Sequence, residues 1–123
     1  MNDGQVIYNI IFGDGFNNDI VNLSINDVNI FKDVYLISDK SDGLTNKWVN
    51  ISQNNKHIYI SSSEDKELKC IDLVSGKIKL KLEYKAKVKE FDAKKENGMY
   101  IVISDDGIGN LIFNQVIDKP IFD

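Results

Sequence analysis

From Lys77 to Lys89 the chain alternates without a break. Ile78, Leu80, Leu82, Tyr84, Ala86 and Val88 fall on one side, and Lys77, Lys79, Lys81, Glu83, Lys85, Lys87 and Lys89 on the other. Successive side chains of a strand point to opposite faces, so this period of two specifies β structure with one buried face. A helix would wind the same residues around its axis and leave no apolar stripe. As a single strand, the 13 residues would reach about 43 Å, more than a small domain accommodates. The pattern predicts one long strand or two collinear ones, with a bend or bulge near Tyr84 to Ala86.

The rest of the chain agrees. Apolar runs at Val6–Phe12, Ile20–Ile25, Val28–Phe31, Val34–Ile37, Trp48–Ile51, His57–Ser61, Glu67–Leu73, Met99–Ile103 and Asn110–Ile117 are separated by polar turn residues. Gly13-Asp14-Gly15, Asn26-Asp27, Ser38 to Gly43, Ser75-Gly76, Glu96-Asn97-Gly98 and Asp105-Asp106-Gly107 supply the turn chemistry. Met99–Ile103 is apolar at nearly every position, as a central strand buried on both faces would be. Pro120 ends the last strand, and Ile121-Phe122 is expected to tuck back onto the core. No segment keeps helical spacing over three turns. The expectation is one all-β domain over residues 1–123, an antiparallel β-sandwich of eight to ten short strands.

A β-propeller fragment, or an assembly of such pieces, is the alternative. Val34–Asp39, His57–Ser62 and Tyr100–Asp105 look alike, and Leu68–Lys77 resembles the middle of a propeller blade. However, Ser38, Ser61 and Ser104 are 23 and 43 residues apart, which is not one period. A propeller needs at least about four blades of about 40 residues, and the chain is too short for that.

Asp19-Ile20-Val21, Ile25-Asn26, Ile30-Phe31, Leu36–Asp39 and Gly43-Leu44 resemble small prealbumin-like β-sandwich proteins of uncharacterised bacterial families. Gly98–Ile103 and Lys119–Asp123 are similar to the end of those chains. The resemblance implies a sandwich and carries no catalytic or binding residue.

Composition narrows the chemistry. The 15 basic residues are all Lys, set against 19 acidic ones, for a net charge of −4. Without the planar fork of Arg, duplex reading and phosphate clamping are disfavoured, so nucleic acid is not an expected partner. Cys70 stands alone, which excludes an internal disulfide and suggests a buried structural thiol. His57 is the only histidine, so zinc spacing is absent, and no nucleophile elbow supports a triad. No apolar run reaches the length of a membrane span, and the first residues lack the pattern of a signal peptide. A cytoplasmic location is favoured, with secretion after removal of a leader as the alternative. No cofactor is expected.

Three groups remain as candidates. Two oxygen-rich turns, Asp14-Asn17-Asn18-Asp19 and Asp105-Asp106, offer calcium-type ligands, but neither has EF-hand spacing. Residues 77–95 hold eight Lys and three acids, net +5. Lys77, Lys79, Lys81, Lys85, Lys87 and Lys89 would either face an anionic partner or form a solvated outer face that discourages edge pairing. Among the aromatics, Trp48 and Tyr59 are the expected exposed ones, lying opposite Val49 and Ile51, and Ile58 and Ile60, respectively. With no convergent acid, base or nucleophile, the chain is expected to be no enzyme. A protein-binding module fits best, an inhibitor or immunity-type protein acting through a sheet face or edge being one form of it. The alternatives are a secreted carbohydrate- or surface-binding module and a structural subunit.

Overall fold

A computed structural model describes residues 5–38, 45–54, 57–65, 69–72 and 78–118, with Asp72 traced by its backbone. Lys77, the Ser38–Gly43 turn beyond Ser38, the Ser75-Gly76 turn, Pro120 and Ile121-Phe122 lie outside the described residues. Among the described residues ten strands follow one another: β1 Gln5–Phe12, β2 Asn17–Ile25, β3 Val28–Ile37, β4 Trp48–Asn54, β5 His57–Ser62, β6 Lys69–Asp72, β7 Ile78–Tyr84, β8 Lys87–Ala93, β9 Tyr100–Asp105 and β10 Leu111–Val116. The only helical element among the described residues is a 3-10 turn at Lys95–Asn97.

The strands form two sheets, six-stranded in the order β10-β9-β1-β4-β5-β6 and four-stranded in the order β3-β2-β7-β8. All neighbours are antiparallel except β1 and β9, which run parallel. This is the expected all-β sandwich, with one parallel pair the sequence did not disclose. The three look-alike segments fall in β3, β5 and β9, which belong to two different sheets, so they are not a repeated blade.

The core lies between the sheets and is built by alternation. Tyr8, Ile10 and Phe12 of β1, Val49 and Ile51 of β4, Ile58 and Ile60 of β5, and Ile101 and Ile103 of β9 face inward from one side. Val21, Leu23 and Ile25 of β2, Phe31, Val34 and Leu36 of β3, and Ile78, Leu80, Leu82 and Tyr84 of β7 meet them from the other. An aromatic series crosses the gap. Phe31 lies 5.6 Å from Phe12, Phe12 lies 6.3 Å from Phe16, and Phe16 meets Tyr84 edge-on at 5.6 Å.

Val28–Phe31 and Val34–Ile37, which the sequence separates, are one strand. The register with β2 shifts between Leu23 and Val21, and Asp33 sits at φ 52°. Asn22 supports this kink by accepting the Asp33 N–H on Oδ1 at 3.0 Å.

The Lys77–Lys89 run is not collinear. Lys85 and Ala86 form a two-residue turn, and β8 folds back antiparallel on β7, with Tyr84 opposite Lys87. Both turn residues have positive φ, 50° and 61°. Those are the angles that match hairpin twist in a type I′ turn, where Asn-Gly is preferred. A two-residue turn places i and i+3 opposite each other, so the alternation changes sign across it. Lys87, Lys89, Phe91 and Ala93 thereby join the inward face, and Val88 is 59% exposed rather than buried. Alanine at left-handed φ is strained by its Cβ. Ala86→Gly is therefore expected to raise stability by about 0.5–1 kcal/mol in urea unfolding, after the entropy cost of glycine in the unfolded chain.

Candidate functional site

The hairpin redistributes the lysines. Lys79 and Lys81 point outward from β7 beside Glu83, and Val88, Glu90 and Asp92 point outward from β8. That face of the hairpin carries two Lys and three acids, so it has no positive stripe. Lys87 and Lys89 instead lie on the inward side of an edge strand. The Lys89 ammonium donates to the Leu111 carbonyl at 2.7 Å and sits 5.8 Å from the Phe113 ring, while Lys87 donates to Asn110 Oδ1 at 3.0 Å. Phe91 stacks on Phe113 at 4.9 Å beneath them. On the opposite side of the sandwich, Lys69 of edge strand β6 pairs with Ile60 and so also points inward, donating to the Asn29 carbonyl of β3 at 3.3 Å. Inward-pointing lysines on edge strands oppose pairing with another sheet. Lys89→Ala is expected to cost about 1 kcal/mol and to increase aggregation on heating, followed by melting and light scattering.

The two acidic turns, distant in sequence, converge at one end of the sandwich. The Asp105 N–H donates to the Asp14 carbonyl at 2.9 Å. Gly15, at φ 89°, packs so close that a Cβ there would lie 2.4 Å from the Asp105 carbonyl oxygen. The Tyr84 hydroxyl is 2.5 Å from Asp105 Oδ2 and 3.1 Å from Asp19 Oδ2. The Lys85 ammonium stands 3.7 Å from Asp105 and 3.8 Å from Asp19. Asp105 Oδ1 accepts the N–H groups of Gly107 and Gly109. Burial pushes the Tyr84 phenol far above its usual value, and the hydrogen bonds to Asp105 and Asp19 add to that. For Asp105, burial acts upward, but the hydrogen bonds from Tyr84, Gly107 and Gly109 and the Lys85 ammonium outweigh it and hold the carboxyl below 3.8. The Asp105 side chain is 2% exposed. Its oxygens are occupied by fold contacts, and Lys85 stands where a cation would. Among the described residues no group of three or more His, Cys, Asp or Glu is placed to hold a metal.

The outer side of the six-stranded sheet is different in kind. Reading alternate positions and the β1–β4 register, which shifts between Val6 and Tyr8, β1 presents Val6, Asn9 and Ile11, and β4 presents Trp48, Asn50 and Ser52. Tyr59 and Ser61 face the same way on β5, Tyr100, Val102 and Ser104 on β9, and Ile112, Asn114 and Val116 on β10. Registers place Val102, Ile11 and Trp48 in one row across the strands, and Tyr100, Asn9, Asn50 and Ser61 in the next. These fourteen positions on five strands contain no Lys, Asp or Glu, in a chain that is 28% charged. At its margin Lys47 pairs with Glu64 at 2.8 Å. Asn50 Oδ1 is buried among its neighbours and accepts no hydrogen bond.

Trp48 and Tyr59 both lie on this face, half-buried, about 14 Å apart by strand geometry. Their facing agrees with the sequence expectation, but the most exposed tyrosine is Tyr35, at 54%, on the outer side of the four-stranded sheet. Ile20 pairs with Tyr35 there, and with Val88 it lines a groove of about 350 Å³. Glu83 and Lys85 line the same groove, so charge interrupts that patch. Cys70 is exposed on the short edge strand β6, beside Tyr59, and not buried as a structural thiol. Its run is too short for alternation to set its facing. His57 is exposed at the start of β5, remote from the Tyr84 cluster in the strand order. No helix among the described residues is long and apolar enough to cross a membrane. Compared with protein-family models, with curated proteins and with solved structures, the chain matches none.

Proposed function

We propose that this protein is a non-catalytic protein-binding module whose contact surface is the uncharged outer side of five strands of the six-stranded sheet, β10, β9, β1, β4 and β5. The observation that carries this is the run of fourteen outward positions without a charge. A surface selected only for solubility mixes charges everywhere, as the outer side of β7 and β8 does. Large aromatic groups amid Asn and Ser give contact area at little entropic cost and adaptable hydrogen bonds, and depletion of charge marks the centre of protein interfaces. Trp48, central among them, is the expected anchor.

An anion-binding role for Lys79, Lys81, Lys85, Lys87 and Lys89 has less support, because the hairpin sends them in different directions. The two ideas differ in salt dependence. Contact through the uncharged face is expected to be nearly insensitive to salt, whereas contact through lysines weakens steeply. The test compares wild type with Trp48→Lys in pull-downs from the native host at low and high salt. Loss of a salt-resistant partner in the variant is the expected result. A partner retained by Trp48→Lys overturns the proposal, as does retention on polysaccharide beads that soluble sugar reverses, which marks a carbohydrate module.

A further inference from the structure

We infer that the occupant of this face is a second copy of the same chain, the two six-stranded sheets stacking about a two-fold axis; this rests on the face being a protein-binding surface. Charge comes first. Each copy carries −4, so association is opposed unless the contact excludes like charges, and this face has none. Self-complementarity comes second. In a two-fold contact the same patch meets itself. A charged patch then opposes its own sign, whereas apolar groups and amides are their own complements, since an amide both donates and accepts. The adjacent Asn9 and Asn50, paired across β1 and β4, fit this.

Extent and geometry agree. Five strands about 4.8 Å apart, each with outward side chains about 6.6 Å apart, make a footprint of about 500 Å² in projection. That approaches the roughly 800 Å² of accessible surface per partner in a standard interface. Twisted sheets stack face to face with their strands nearly aligned. Side-by-side assembly through edge strands β6 and β8 is opposed, because they carry the inward lysines Lys69 and Lys89.

Sedimentation velocity of the full chain, from micromolar to sub-millimolar concentration, tests this. The expected result is a monomer–dimer equilibrium that persists at high salt. Trp48 is the only tryptophan, so its emission is expected to shift to the red on dilution. Trp48→Lys and the more exposed Asn114→Asp are expected to weaken the dimer at least about tenfold, with melting curves showing that each still folds. Tyr35→Lys, on the other sheet, is expected to leave it intact. A chain that stays monomeric throughout overturns the inference, as does a dimer broken by Tyr35→Lys but not by Trp48→Lys. If the chain is monomeric yet Trp48→Lys still loses a partner from the host, the binding face stands and only the second copy fails. If Trp48→Lys changes neither, both fail.

Discussion

Phe31→Ala is expected to lower the unfolding free energy by about 3–5 kcal/mol. Phe31 is fully buried on β3 and packs against Phe12 of β1, so it joins the two sheets. Removing the ring takes away its transfer energy and leaves a cavity that strands pinned on both sides cannot collapse to fill. A domain of this size is typically stable by roughly 5–15 kcal/mol, so the loss is about a fifth of the total or more. Urea unfolding followed by Trp48 fluorescence measures it, and the melting temperature is expected to fall by roughly 10–20 °C. Phe12→Ala, alone and combined with Phe31→Ala, completes a double-mutant cycle. A coupling of at least about 0.5 kcal/mol is expected from the ring contact, and additivity would place the energy in the separate sheets.

Asp105→Ala is expected to cost about 2–4 kcal/mol at neutral pH. It removes the acceptor for two turn N–H groups, the partner of the Tyr84 hydroxyl and one of the two carboxylates facing Lys85. The pH profile separates this from simple loss of packing. The Asp105 carboxyl is held below its ordinary value in the folded chain. Its contribution is thus fully present above about pH 4, where the unfolded chain is also ionised, and is lost as pH falls through the folded value. Wild type is expected to lose stability across that acid window and Asp105→Ala to lose less. Tyr84 has the opposite sense. Its raised folded value contributes stability that is present below about pH 10 and is lost above, as the unfolded phenol ionises. Tyr84→Phe is expected to flatten the alkaline limb and to cost about 1–2 kcal/mol near neutrality, through loss of the hydroxyl that Asp105 and Asp19 accept from. Parallel acid limbs in wild type and Asp105→Ala would show that other carboxyls govern acid unfolding.

Much of the sandwich was legible from local pattern. Ile78, Leu80, Leu82 and Tyr84 are buried as their alternation requires, and Asn26-Asp27 forms the β2–β3 turn with both residues at positive φ. The length of the run placed a break near Tyr84 to Ala86, but Lys85-Ala86 lacks the residues that announce a tight turn, so the reversal itself was not legible. The consequence spread beyond two residues. With the change of sign across the turn, Val88 moved outward and Lys87 and Lys89 moved inward, and one apparent stripe became an edge closure and a mixed-charge face. Asp19, Tyr84 and Asp105 are 65 and 21 residues apart, and no spacing rule links them.

The alternating run that most constrained the chain did determine, by itself, β structure with one buried face and which side of β7 is its core. A strand's pleat is a local property, written in every second residue. Which strand lies beside which is not local. Only the tertiary structure decided that five strands from both ends and the middle of the chain would align their uncharged sides into one surface. The absence of charge at Asn9, Trp48, Asn50, Tyr59, Val102 and Asn114 has meaning only once pairing brings those positions together, because a binding face is a property of neighbours in space.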